Sequence, residues 1–421
     1  MMLNRNNIRV ITFEEEDNGQ LFDAAFWNRM MDFMTVMYDR SVEMEFEMTT
    51  EHLLSFSMSS VPLTTMMINT SPKDELPDPS YYPRTLTKLV INGEFVTLGS
   101  LPDSLTSLTI WANDWNQPIV PGSLPPRLKR LKFNDRFNQP IAEGTFPPSL
   151  KRVNFGGAFN QPLTLSNCPA TITRVRLHEL YVHPLGLCAQ HWSRLRFESV
   201  LELSPVLVCQ SLTNLCAPFV ESSPVTSSTF PSLQKFHILS LVGFSLYIPL
   251  DLIALPSSLR DLTIWPNGYY SALPRGVKTL VINGYNEDFI LFPGLLPPSL
   301  VSLTLNSYHH EFELKDFPTT LTSLTLCNVT KLPLPNQLPT SLRSLTLKIR
   351  NMYNNIDILN QWMKLYLDMI TLTHIHLNYM SLNLELYRIT DTLFLRCQGS
   401  LYDNLPTCGF ISLQMIISMI K

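Results

Sequence analysis

Basic side chains recur at two fixed positions of a repeated phrase in the first half of the chain. In four consecutive copies these positions hold Arg130/Lys132, Arg152/Asn154, Arg174/Arg176 and Arg194/Arg196. Seven of these eight side chains are basic. Guanidinium and ammonium groups at regular spacing attract carboxylates and phosphates, and a row of them repels itself unless counter-charges are present. The sequence therefore predicts a partner-binding patch made of Arg130, Lys132, Arg152, Arg174, Arg176, Arg194 and Arg196. The alternative interpretation is that these are ordinary solvated positions of a strand.

Other residues that could bind a metal or take part in catalysis are sparse in the sequence. His374 and His376 lie two residues apart, and His309-His310-Glu311 forms a polar cluster. Two histidines without a third ligand are typical of ordinary surface positions, so we expect no metal site. The sequence has no phosphate-binding glycine loop, no HExxH and no nucleophile elbow. We therefore expect no catalytic residues, no cofactor and no enzymatic activity.

Composition limits the classes of protein to be considered. The 421 residues are 45% hydrophobic and 16% charged, and the net charge of −4 gives no overall attraction to nucleic acid or membrane. Seven irregularly spaced cysteines, with no C-x-x-C pair, indicate free thiols in a reducing compartment. With no apparent signal peptide and no long apolar run, we expect an intracellular, cytoplasmic monomer without a membrane span.

One phrase, Leu-Pro-x-Ser-Leu-x-x-Leu-x-Ile/Leu, returns along almost the whole chain, for example at residues 101–110 and 338–347. We take the first leucine of Leu-x-x-Leu-x-Leu as the anchor of each unit. Clear anchors are Leu86, Leu105, Leu128, Leu150, Ile172, Leu259, Val277, Leu300, Leu321 and Leu342. Weaker ones are Leu63, Trp192, Leu212, Leu233 and Leu372. The total is about 15 units at intervals of roughly 20 residues, which is the signature of a solenoid.

Each phrase has the pattern of a β-strand. Apolar residues recur at the anchor and at three and five residues beyond it, so positions +3 and +5 face the core. Positions +2 and +4 then line the opposite, exposed face, where the basic residues fall. In later units the same positions hold the neutral pairs Ser302/Thr304, Ser323/Thr325 and Ser344/Thr346. Proline precedes the strand, where its missing N–H costs least.

Three consecutive units add a second phrase, namely Trp115-Asn116-Gln117-Pro118, Phe137-Asn138-Gln139-Pro140 and Phe159-Asn160-Gln161-Pro162. With these phrases the chain resembles the FNIP-repeat family, leucine-rich-repeat relatives abundant in social amoebae and found in giant DNA viruses. Glutamine stands where the family name has isoleucine. The full phrase covers residues 100–165 and its leucine half covers 60–380. We expect the aromatic residue to fill the interior of the return segment, and Asn and Pro to fix the turn.

The predicted fold is a mainly β repeat solenoid, a leucine-rich-repeat-like stack of parallel strands with irregular return segments and a small α/β cap at the N-terminus. We expect an acidic cap of helix and strands over 1–57, the solenoid over 58–380 and a C-terminal cap over 381–421. Within the first cap, residues 21–40 have helical spacing and residues 42–48 alternate as a strand, with Glu43, Glu45 and Glu47 on one face. That acidic face is a possible internal partner for the basic patch.

This fold predicts a non-enzymatic scaffold that binds a protein partner on its concave strand face, and the basic patch suits an acidic partner. Two alternatives stay open. The resemblance implies the first, a substrate-recruiting component of a ubiquitin-ligase complex, because some similar proteins carry an F-box ahead of the repeats. It requires a helical docking module in residues 1–60, where that motif does not align. The second is anion or nucleic-acid binding through the basic rows, which lack interleaved aromatic residues.

Overall fold

The fold is described from a computed structural model in which the chain divides into two compact units, residues 1–212 and 213–421. The described residues are 10–13, 29, 32–33, 36, 43–55, 58–72, 74–94, 97–112, 114–178, 180–197, 208–218, 225–239, 252–265, 273–284, 289–329, 331–349, 365–379, 382–400 and 407–412. Most of the helix predicted over 21–40 lies outside them, as does the end of the chain after 412.

The described part of the first unit contains nine strands that pair in parallel, each with the next one along the chain. They are β1 Val10–Phe13, β2 Glu43–Thr49, β3 Thr65–Thr70, β4 Lys88–Gly93, β5 Ser107–Ile110, β6 Arg130–Lys132, β7 Arg152–Asn154, β8 Arg174–Leu177 and β9 Arg194–Phe197. The strand expected over 42–48 is therefore present as β2. It belongs to the same parallel sheet as the repeats.

The described part of the second unit contains eleven strands. They are β10 Asn214–Pro218, β11 Lys235–Leu239, β12 Asp261–Ile264, β13 Thr279–Asn283, β14 Ser302–Asn306, β15 Ser323–Cys327, β16 Ser344–Ile349, β17 His374–Tyr379, β18 Leu382–Arg388, β19 Leu393–Ser400 and β20 Thr407–Ser412. Pairing is parallel from β10 to β17 and antiparallel from β17 to β20. No pattern in the sequence marks this change of direction.

Helices are few and short among the described residues. Within the helix predicted over 21–40, the described residues Arg29, Asp32, Phe33 and Val36 are helical. One α-helical segment, Thr50–Ser55, follows β2. The 3₁₀ helices are Pro79–Tyr81, Leu187–His191, Leu252–Ala254, Leu314–Asp316 and Pro335–Gln337. Each lies in a connection between strands, so the fold is the leucine-rich-repeat-like stack of parallel strands that the period predicts. The boundaries at 57 and 380, and the capping roles of the two ends, stay predictions.

The repeated phrase folds as its pattern predicts. In the unit anchored at Leu105, the anchor, Leu108 and Ile110 are buried, whereas Ser107 and Thr109 between them are half-exposed. The proline before the anchor closes a tight turn, because the carbonyl of Pro102 accepts a hydrogen bond of 3.1 Å from the backbone N–H of Leu105. Pro125, Pro147 and Pro169 make the same bond to their own anchors. Proline thus marks the strand entrance without removing a donor from the sheet.

An aromatic column fills the return side of the first unit. The rings of Trp115, Phe137, Phe159 and Tyr181 stack in sequence, with centroids 5.6, 6.1 and 6.2 Å apart. All four are buried. The phrase aromatic-Asn-Gln-Pro therefore places its aromatic residue in the interior, as expected.

The asparagines of the same phrase connect neighbouring turns. The side-chain oxygen of Asn116 accepts a 2.8 Å hydrogen bond from the backbone N–H of Asn138, and Asn138 accepts the same bond from Asn160. Gln139 donates from its side-chain amide to the carbonyl of Asn116 at 3.0 Å. Each Asn thus satisfies a backbone donor that has no strand partner, which a buried return segment requires.

Replacing Phe137 by alanine tests the aromatic column. Phe137 is fully buried and also stacks on Phe133 at 4.0 Å. We expect Phe137→Ala to lower the free energy of unfolding by about 3–5 kcal/mol, since it removes a large side chain and leaves a cavity. Urea unfolding followed by circular dichroism measures this. The control Val120→Ala, at a side chain 67% exposed, should change stability by less than about 0.5 kcal/mol. A loss below about 1 kcal/mol for Phe137→Ala would contradict its place in the core.

Two adjacent glycines give a second test of how closely the turns pack. A Cβ on Gly156 would lie 1.5 Å from the backbone oxygen of Asn134, whereas a Cβ on Gly157 would meet nothing nearer than 3.7 Å. Backbone cannot move aside as a flexible side chain does, so Gly156→Ala should cost more than about 3 kcal/mol. Gly157→Ala should be within about 1 kcal/mol of the wild type. Thermal unfolding midpoints of the two variants check this, and equal midpoints would refute the close approach.

Candidate functional site

The structure brings the seven predicted basic residues together on one face of four adjacent strands. Arg130, Arg152, Arg174 and Arg194 are successive Cα partners on β6 to β9, and we call this row the first basic ladder. Lys132, Asn154, Arg176 and Arg196 are partners in the same way and form the second basic ladder. Together the two ladders make the basic face. Whether this face binds a partner stays a prediction.

Burial of the inward residues explains why the basic side chains face outward. Leu131, Val153, Val175 and Leu195 lie between the two ladders, and all four are buried. Because successive side chains of a strand point to opposite faces, the residues on either side of each one must point away from the core. Arg130, Lys132, Arg152, Arg194 and Arg196 are exposed, and Arg174 and Arg176 are half-exposed. The register of the core therefore aligns the charges.

The aligned positive charges repel one another and lower the pKa of an arginine on the basic face. Neighbouring strands lie about 4.8 Å apart, so each arginine of the first ladder has another one or two strand spacings away. Partial loss of water around the Arg152 guanidinium lowers its pKa, and the positive charges of Arg174, Arg130 and Arg194 lower it further. Residues 127–197 contain eleven arginines and lysines against three acidic residues. The face therefore carries excess positive charge that a polyanionic ligand can neutralise.

The acidic strand considered as an internal partner lies too far away for direct contact. β2 is in the same sheet, but it is separated from β6 by β3, β4 and β5. Four strand spacings amount to about 19 Å. The carboxylate of Glu47 instead accepts a 2.8 Å hydrogen bond from the side-chain amide of Asn69 on β3. The position of β2 in the sheet therefore does not support its acidic face as an internal partner of the basic patch.

A groove beside the basic face went unnoticed at the level of sequence. It lies at the ends of β4 to β6 and encloses about 690 Å³. Its lining residues are Asn92, Trp111, Asp114, Lys132, Phe133, Asn134, Asp135 and Arg136. Trp111 is 46% exposed, and the Nζ of Lys132 lies 5.5 Å from the centroid of its ring. One exception in the repeat could have indicated this groove. Trp111 stands at position +6 of its repeat, where the units before and after have Asn92 and Asn134.

The matching rows of the second unit are mostly neutral. Thr279, Ser302, Ser323 and Ser344 form one row of partners, and Val281, Thr304, Thr325 and Thr346 form the other. Nearer the start of this unit, Lys235 pairs with Asp261 on the next strand at 2.5 Å. The same fold thus presents hydroxyl groups in one unit and cations in the other.

The two histidines of β17 lie at the end of these hydroxyl rows. The Nδ1 of His374 is 3.0 Å from the Oγ of Ser344, and its ring stacks on Tyr387 with centroids 4.6 Å apart. Burial lowers the pKa of His374, and the charge of Glu385 partly opposes this effect. His376 lies 4.0 Å from the carboxylate of Glu385. In the described part of the chain, no group of three or more His, Cys, Asp or Glu residues could hold a metal ion.

The cluster at 309–311 and the cysteines show no arrangement typical of a catalytic site in the described part of the chain. Glu311, from the cluster at 309–311, pairs with Lys331 at 2.8 Å, and this contact lowers its pKa. Cys168, Cys188 and Cys209 are buried free thiols, and the thiols of Cys216 and Cys327 are half-exposed. None of the described helices is long and apolar enough to cross a membrane.

Comparisons with known proteins agree with this architecture. The family model described as FNIP Repeat matches residues 96–136, 115–158 and 137–179 in three overlapping copies. These residues include three of the four rings of the aromatic column, Trp115, Phe137 and Phe159, and strands β6 to β8 of the basic face. No curated protein matches the chain.

One solved structure is similar in fold. It is the crystal structure of CroV588, described as a novel circular LRR protein structure, from a giant virus. The two share 21% sequence identity with a TM-score of 0.50, over 80% of this chain and 56% of that one. This chain thus spans little more than half the length of that protein, and at this identity the likeness concerns the fold alone. The chain is therefore a leucine-rich-repeat-like parallel β-solenoid protein that carries FNIP repeats over residues 96–179.

Proposed function

We propose that this protein is a non-enzymatic interaction scaffold whose basic face binds an acidic segment of a partner protein. Repeat solenoids of this kind commonly mediate protein interactions, since they offer long, pre-formed surfaces. The observation that supports the proposal is the register that sets Arg130, Arg152, Arg174 and Arg194 side by side. A partner's carboxylates would relieve the repulsion among these side chains, and they would meet donors that are already in place.

The basic residues are not a requirement of folding. The second unit builds the same parallel strands with Ser302, Ser323 and Ser344 at the positions equivalent to the first ladder. Hydroxyl side chains therefore suffice for solvated strand positions, and the ordinary-surface interpretation does not explain why four neighbouring strands hold cations. Acidic protein segments fit this surface better than an apolar partner does, because charge complementarity steers association and selects the partner.

The proposed function includes a cytoplasmic location, and it is preferred to a role in a ubiquitin-ligase complex. A reducing, cytoplasmic setting is supported by the buried free thiols of Cys168, Cys188 and Cys209. The ubiquitin-ligase alternative requires a helical docking module in residues 1–60. That range contains the α-helical segment Thr50–Ser55 and the helical residues Arg29, Asp32, Phe33 and Val36. It also contains β1 and β2 of the parallel sheet, which does not favour an all-helical module.

Substitution of ladder residues tests the proposed function. The probe is a fluorescent peptide of alternating Glu and Gly, with a Gln-for-Glu peptide as its uncharged match. We expect the triple variant Arg152→Ser, Arg174→Ser, Arg176→Ser to bind the Glu peptide about tenfold more weakly, because three exposed charge contacts of up to about 1 kcal/mol each are lost. Fluorescence anisotropy at physiological salt measures the affinity.

A matched variant separates the ladder from net charge. Arg84, Arg275 and Lys278 are exposed basic residues outside the two ladders, and their replacement by Ser removes the same charge. This control should retain most of the affinity. An equal loss in both triple variants, or equal binding of the Glu and Gln peptides, would overturn the proposed site.

Nucleic-acid binding is distinguished by its dependence on salt. We expect random single-stranded DNA or RNA of similar length to bind the wild-type protein more weakly than the Glu peptide at physiological salt. The ladder positions themselves hold no aromatic side chain on which bases could stack. Affinity measured over a range of salt concentrations checks this. If random nucleic acid bound more tightly than the Glu peptide, with a steep loss as salt increased, the nucleic-acid alternative would replace the proposal.

A further inference from the structure

Trp111 occupies an unusual place for a large apolar side chain. It follows β5 directly, and its backbone N–H donates a 2.7 Å hydrogen bond to the carbonyl of Ile91 on β4. The backbone is thus fixed to the sheet, while 46% of the residue remains open to solvent. A tryptophan held in place by its backbone and exposed on a groove is the kind of residue that dominates binding energy at interfaces.

Asn134 and Phe133 support the groove on one side. Both are buried, and Asn134 donates from its side-chain amide to the carbonyls of Ala112 and Trp115. Its side-chain oxygen accepts a 3.0 Å hydrogen bond from the backbone N–H of Phe137. The amide is fully engaged within the protein, so this side of the groove is rigid and pre-formed. A pre-formed site loses less conformational entropy when it binds a ligand.

Charges on the rim of the groove differ from those of the basic face. Asp114 and Arg136 pair at 3.5 Å, and Asp135 is exposed beside them. Lys132 belongs to both surfaces, because it is a member of the second basic ladder and also lies over the ring of Trp111. The groove thus has an aromatic side chain, an Asp–Arg ion pair and a second carboxylate. One edge of it adjoins the basic face.

We propose that this groove binds an aromatic side chain of the same acidic segment that occupies the basic face. This inference rests on the proposed function. The ring of the ligand would pack against Trp111, while Asp114 and Asp135 would repel carboxylates at that point. The acidic residues of the segment therefore lie over β6 to β9, on one side of the aromatic residue.

The dimensions of the surface limit the sequence of the ligand. From β5 to β9 there are four strand spacings, which make about 19 Å. An extended segment that advances about 3.4 Å per residue crosses this distance in about six residues. The expected partner sequence is one aromatic residue with an acidic run within roughly six positions on one side of it.

A double-mutant cycle between protein and peptide tests this pairing. One peptide has Phe, two Gly and four Glu, and the second has Ala in place of Phe. Against the wild-type protein, we expect Phe to improve affinity about tenfold, the value of a good aromatic contact together with its buried area. Against Trp111→Ala the two peptides should differ by less than about twofold. Fluorescence anisotropy of both labelled peptides measures the four affinities.

Two further variants control for structure. Leu165→Ala removes apolar surface that is 50% exposed but lies outside the groove, and it should keep the full advantage of Phe. Trp111→Phe keeps a ring at the position and should retain most of that advantage. Unfolding midpoints identify any variant that has lost its fold. If Trp111→Ala is one of them, Trp111→Asn replaces it, because the neighbouring units have Asn92 and Asn134 at this position, and the two peptides should again differ by less than about twofold.

The outcomes separate this inference from the proposed function. If the advantage of Phe is the same in Trp111→Ala as in the wild type, the ring binds elsewhere and the inference is wrong. If Phe confers no advantage but both peptides still bind through the ladders, the inference fails while the proposed function stands. If neither peptide binds, or if binding is indifferent to the ladder variant, both are overturned.

Discussion

Lateral pairing between neighbouring strands is the constraint on which the rest of this structure depends. A unit of about 20 residues presents one row of leucines and cannot bury it alone, so each unit needs the next one to complete its core. Pairing in a parallel sheet sets residue against residue. The contact of Leu131 with Val153 in the core therefore also aligns Arg130 with Arg152 on the surface. A slip of one residue would turn the leucines outward, so the core fixes the arrangement of the surface charges.

This coupling explains how a surface with self-repelling charges can persist. The free energy gained by burying Leu131, Val153, Val175 and Leu195 determines the register, whatever residues flank them. Repulsion among exposed guanidinium groups is reduced by water and salt, and it is small beside the burial of four apolar side chains. The fold can therefore hold cations together without depending on them. The neutral rows of the second unit show the same register without the charge.

Much of this arrangement could be predicted from sequence because it follows from a period and an alternation. The anchors located the strands, and the alternation assigned Arg130 and Lys132 to the exposed face. The aromatic phrase located the column through Phe137. The groove could not be predicted in the same way, since it requires the return segments of three units to come together around Trp111. Nor could the antiparallel pairing of β17 to β20, because no repeat pattern marks the direction of those strands.

Position +6 of the repeat shows where the scaffold allows variation. Asn92 and Asn134 at this position bond neighbouring turns, Asn92 to the side chain of Asn69 and Asn134 to backbone carbonyls. Trp111 replaces such an amide, and the half of it that faces solvent contributes nothing to the core. The second unit also has a tryptophan, Trp265, at this position, where it lines a groove of about 300 Å³.

The two grooves differ in the charge of their surroundings. Trp111 adjoins stacked cations, whereas the groove at Trp265 has one cation, Lys348, in its lining, and the nearest rows hold mainly hydroxyl and apolar side chains beside Asp261. An exposed ring alone does not discriminate among ligands, because aromatic contacts accept many partners. In the proposed binding mode, discrimination for acidic segments arises from the ladders, and affinity for an aromatic residue arises from position +6. Both depend on residues that the core leaves free to vary, and in a solenoid these are the positions at which binding specificity can change without loss of the fold.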